Sequence, residues 1–68
     1  MFYRQQAAAR YFRDGANGCV YEVTGDGVSL LVRRAGERVR ERIAELPPGL
    51  DELWCSGEQA WGLVPQES

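Results

Sequence analysis

The chain has 68 residues, a net charge of −2 and a pI near 5.0, with eight Arg, no Lys and no His. That acidic balance argues against general wrapping of nucleic acid, where counterions released by basic side chains supply most of the affinity. A composition of 44% hydrophobic and 26% charged residues excludes disorder, but a chain this short buries only about 60% of its unfolded surface and its stability is marginal. The arginine-only basic set, with Ile and Asn once each, points to a GC-rich genome, bacterial or phage.

Residues 1–12 open with a segment rich in helix formers from Gln5 to Arg10, which favours a helix over the first ten residues. The competing reading is a strand over Ala9–Arg13 that turns through Asp14-Gly15-Ala16-Asn17-Gly18. Cys19–Thr24 and Val28–Arg33 are β-rich, and Gly25-Asp26-Gly27 joins them as a tight antiparallel hairpin. From Ala35 to Leu46 the apolar positions Val39, Ile43 and Leu46 fall at i, i+4 and i+7. This predicts an amphipathic helix that Pro47-Pro48 ends and Gly49 reverses. Leu53-Trp54-Cys55 and Ala60–Val64 flank Ser56-Gly57-Glu58-Gln59 and read as a second hairpin, or one strand with a bulge. Pro65 closes it, and Gln66–Ser68 form a frayed tail.

These elements predict one small α+β domain in ββαββ order, residues 1–68. An N-terminal helix accompanies an antiparallel sheet of three or four strands, and the Ala35–Leu46 helix packs across one face. No 18-residue apolar run and no signal-peptide core is present, so the expected location is cytoplasmic, with no membrane partner.

The chemistry-bearing residues are few. With Cys19 and Cys55 as the only thiols and no His, neither a Cys₄ nor a Cys₂His₂ metal site can be assembled, and no metal or cofactor is expected. The two thiols read as reduced, half-buried side chains; a strand-to-strand or intermolecular disulfide is the alternative. Thr24, Ser29, Ser56 and Ser68 have no neighbouring base. The glycines fit no phosphate loop, and Glu37, Glu41 and Glu45 form a solvated row along the predicted helix. A catalytic role is not expected.

Arg38 and Arg42 lie three residues from Glu41 and Glu45, a spacing that laces a helix surface. Arg33, Arg34, Arg38 and Arg42 together could alternatively form a guanidinium cluster for phosphate or carboxylate. Seven large rings, Phe2, Tyr3, Tyr11, Phe12, Tyr21, Trp54 and Trp61, exceed what so small an interior can enclose. Aromatic residues and Arg are the types enriched at protein interfaces. The expected function is therefore a non-enzymatic protein-binding module, a small inhibitor or adaptor of phage or bacterial type. It would dock on a larger protein or self-associate as a homodimer through Arg34, Arg38 and Trp61, Trp61 being the ring expected to be exposed. The alternative is a nucleic-acid-binding domain built on Arg33, Arg34, Arg38 and Arg42.

Overall fold

The structure is a computed structural model that describes residues 9–66. Five strands precede one short helix: β1 (Arg10–Arg13), β2 (Val20–Thr24), β3 (Gly27–Arg34), β4 (Glu37–Ile43), β5 (Asp51–Leu53) and α1 (Gly57–Leu63). They build one antiparallel sheet in the order β4-β3-β2-β1-β5. The α+β class and the antiparallel sheet agree with the sequence. The ββαββ order and the count of three or four strands do not.

The β2–β3 hairpin is present as expected, with Thr24 opposite Gly27 and Val20 opposite Leu31. The strand alternative for Ala9–Arg13 also holds. Arg10 already pairs with Val23, and the chain turns through Asp14–Gly18. That turn is fixed by Asp14 Oδ1 accepting from the Ala16 amide and Asn17 Oδ1 from the Cys19 amide, both at 2.9 Å. The helix expected over the first ten residues lies, for residues 1–8, outside the described residues; Arg10 is strand.

The helix predicted from Ala35 to Leu46 is instead strand β4 and the start of the next connection. Ala35 and Gly36 both take positive φ, 54° and 81°, the signature of a two-residue type I′ turn. The turn sends the chain straight back along β3. Seven residues then pair one for one, from Arg34 opposite Glu37 to Val28 opposite Ile43. A helix would have left that edge of β3 without backbone partners. Val39 and Ile43 suit both periods, being four apart, and the pairing decides for the period of two.

The second predicted hairpin is also corrected. Ser56 is the N-cap of α1: its hydroxyl accepts from the Gln59 amide at 3.2 Å, and Gln59 Oε1 accepts from the Ser56 amide at 2.8 Å. This reciprocal capping box starts a helix where a turn was expected. Pro65 follows the C-cap, Val64.

Alternation gives the sheet two distinct faces. One carries Tyr11, Val20 and Leu31, which form the core cluster with Ala60, Trp61 and Val64 at the end of the chain. Ala9, Leu53 and Cys55 pack against it. The opposite face carries Phe12, Val23, Val28, Leu30, Val32, Val39 and Ile43, all half-buried, with Tyr21 buried among them. Cys19 and Cys55 are half-buried free thiols.

Candidate functional site

The residues singled out for docking lie around the β3–β4 turn and the helix. Because strand residues alternate, Arg38, Arg40 and Arg42 share the helix-covered face of β4, while Glu37, Val39, Glu41 and Ile43 share the other. Arg38 and Trp61 are brought together: the guanidinium stands 5.4 Å from the ring centroid. Arg40 stacks on the same ring at 5.5 Å. Arg38 also grips Glu58 on α1 with two hydrogen bonds, at 2.8 and 3.1 Å. These contacts fasten the helix to the sheet. The Arg38 hydrogen bonds hold the Glu58 carboxyl below the ordinary carboxylate range. Arg10 does the same to Glu52 across the β1–β5 pair, at 2.9 and 3.0 Å.

Trp61 is not the exposed ring. It is only 3% exposed, and its carbonyl oxygen accepts from Arg33 Nη2 at 2.8 Å. The exposed ring is Trp54, at 88%, between β5 and α1. The clue was the Ser56-x-x-Gln59 pattern. A helix starting there turns Ala60, Trp61 and Val64 inward, at spacings of one and four, and leaves Trp54 outside it.

Arg34 is exposed, lies on the face opposite Arg38 and forms an ion pair with Glu41. The i, i+3 lacing of Arg38 and Arg42 with Glu41 and Glu45 does not form. Arg42 instead donates to the Asp26 carbonyl at 2.8 Å, lying over Gly27 of the β2–β3 turn. The acidic row dissolves with the helix: Glu37 and Glu41 belong to β4, and Glu45 to the connection.

Under the helix, Glu22 is 7% exposed and fully engaged. Its Oε2 accepts from the Tyr11 hydroxyl at 3.0 Å and its Oε1 from Arg40 Nε at 2.9 Å. Burial is the main cause that raises the Tyr11 pKa, and its bond to the Glu22 carboxylate adds to it. A shallow cavity of about 380 Å³ opens beside Asn17, Cys19, Leu31, Arg33, Val64 and Gln66. Arg33 Nε is buried there without a hydrogen-bond partner. Among the described residues, no group of three or more His, Cys, Asp or Glu side chains could hold a metal ion. None of their helices is long and apolar enough to cross a membrane.

Comparison with known families, curated proteins and solved structures finds no match to this chain.

Proposed function

We propose that this protein is a non-enzymatic protein-binding module, a small inhibitor or adaptor that docks on a larger protein or on a second copy of itself. The observation that carries this reading is Trp54, 88% exposed in a domain whose other described Trp is 3% exposed. A Trp side chain buries roughly 150–250 Å² when covered, which makes an exposed one a strong candidate anchor for a partner. Leu63, 44% exposed on α1, adds apolar surface, and Arg34 and Arg38 supply exposed cations.

The alternative, nucleic-acid binding through Arg33, Arg34, Arg38 and Arg42, has weaker support. Arg34 points to the face opposite the other three, so the four do not form one cluster. A salt titration separates the two readings, because phosphate contacts weaken steeply with salt.

The test uses the full chain and its Trp54→Ala variant as baits, with light scattering for self-association. A protein or second copy that binds the parent and binds Trp54→Ala at least tenfold more weakly, about 1.4 kcal/mol, supports the reading. Equal binding by both baits, with circular dichroism unchanged, removes Trp54 and the argument built on it.

A further inference from the structure

We infer that the free edge of β4 is a docking strand for an extended acidic segment of a partner protein, one that places Glu or Asp at every second residue. The inference rests on the protein-docking reading and names the partner's chemistry.

Among the described residues β4 is the outermost strand of the sheet, next to β3 alone. In a two-residue hairpin the residues flanking the turn form a hydrogen-bonded pair, here Arg34 and Glu37. Bonded and non-bonded pairs alternate along an antiparallel ladder, so Val39, Glu41 and Ile43 also direct their backbone groups at β3. The N–H and C=O groups of Arg38, Arg40 and Arg42 therefore face outward, along the edge where another strand would pair.

The residues offering those backbone groups are all arginines with side chains on one face. Arg38 and Arg40 retain 43% and 55% side-chain exposure although each holds a carboxylate of this chain. A guanidinium has five N–H donors, so each keeps donors for a second acceptor. Arg42 is exposed and donates to a neutral acceptor, the Asp26 carbonyl, rather than to a carboxylate.

The same row argues against a second copy of β4 as the occupant. An antiparallel pair that keeps both strands' faces aligned sets an odd residue opposite an odd one and an even residue opposite an even one. Every such register through the arginine row then opposes Arg38, Arg40 or Arg42 to another arginine, and like charges directly opposite destabilise a pair. A strand with acids at alternate positions meets an arginine at each one instead. Main-chain hydrogen bonds would supply affinity and the alternating charges register. The chain's net charge of −2 opposes non-specific capture of such a segment, so the attraction is local to this edge.

The experiment measures fluorescence anisotropy of labelled heptapeptides against the full chain. One peptide alternates Val and Glu, a second alternates Val and Lys, and a third is the Val/Glu peptide N-methylated on its pairing edge. Saturable binding of the first, at least tenfold weaker for the other two and for an Arg38→Gln/Arg42→Gln variant of unchanged circular dichroism, supports the inference. Equal binding of the Glu and Lys peptides, indifference to N-methylation, or no binding of any peptide overturns it. Those failures leave the Trp54→Ala comparison intact, so the edge assignment can fall while the docking reading stands.

Discussion

Arg40 on β4 reaches across β3 to Glu22 on β2, its Nε 2.9 Å from Oε1. The strand between them offers Leu31 opposite Arg40 and only Ser29 opposite Glu22, so the long side chain has room to cross. The pair closes the core cluster from one side, with the Arg40 guanidinium on the Trp61 ring and Tyr11 on the second carboxylate oxygen. Glu22→Gln removes the charge that Arg40 answers and should cost about 1–3 kcal/mol, reduced from a fully buried pair because Arg40 is half exposed. Tyr11→Phe should cost about 1 kcal/mol by leaving an oxygen of Glu22 unpaired. Urea denaturation measures both, and a Glu22→Gln midpoint equal to the parent's would show that the pair contributes nothing.

Leu31 and Ile43 should respond very differently to truncation. Leu31 is 1% exposed at the centre of the core cluster, and Leu31→Ala should cost about 2–5 kcal/mol, enough to unfold much of so small a domain. Ile43, half-buried at the end of an edge strand, should cost only about 1 kcal/mol. A helix over Ala35–Leu46 with Ile43 on its buried stripe would give Ile43→Ala the larger loss. Thermal melts of the two variants therefore test the strand assignment directly.

The legible parts of the fold were those with a local chemical cause. Gly25-Asp26-Gly27 joined two β-rich runs, and Asp14-Gly15-Ala16-Asn17-Gly18 marked the turn in the competing strand reading of Ala9–Arg13; both features are present. The strand at Glu37–Ile43 was hidden because Val39 and Ile43 satisfy a helix period and a strand period alike, and only the vacant edge of β3 decides between them. Arg38, Arg40 and Arg42 at alternate positions carried the strand signal, in charge rather than in hydrophobicity. For the candidate site, the meeting of Arg38 with Trp61 is a tertiary product of β4 and α1 that no local pattern contains. The burial of Trp61 and exposure of Trp54 followed from the capping box at Ser56, which was present in the sequence and read as a turn.

Two of the exposed ion pairs, Arg38–Glu58 and Arg10–Glu52, should be visible in acid. Arg38 holds the Glu58 carboxyl below its ordinary value of 4.5, and Arg10 does the same for Glu52, chiefly through hydrogen bonds. A carboxyl whose pKa is lower folded than unfolded contributes stability that is complete above the unfolded pKa. That contribution disappears as pH falls through the folded one. No change is expected between pH 7 and 5, and a loss should follow below the ordinary carboxylate range, small because both pairs are exposed. Carbon-detected NMR titration should place both carboxyls below 4.5, and Arg38→Gln should return Glu58 toward that value while leaving Glu52 low. Movement of both carboxyls in that variant would mean that the shifts come from the fold as a whole.

The β3–β4 turn offers the sharpest single substitution. Ala35 has φ 54°, a left-handed conformation in which its Cβ crowds the following carbonyl at a cost of roughly 1–2 kcal/mol. Gly36, at φ 81°, has no such cost. Asn tolerates the left-handed region far better than Ala, and Asn-Gly is the preferred pair for a two-residue hairpin turn. Ala35→Asn should therefore stabilise the protein by about 0.5–1 kcal/mol, and Ala35→Val should destabilise it by at least as much, since a β-branched side chain fits φ > 0 worst. Ala35 is exposed and lies outside β4, so neither change should alter peptide binding at β4. If Ala35→Asn lowers the urea midpoint while Ala35→Val raises it, residues 35 and 36 do not form a type I′ turn. The residue-for-residue pairing of β4 with β3, and the outward arginine edge derived from it, would then lose their foundation.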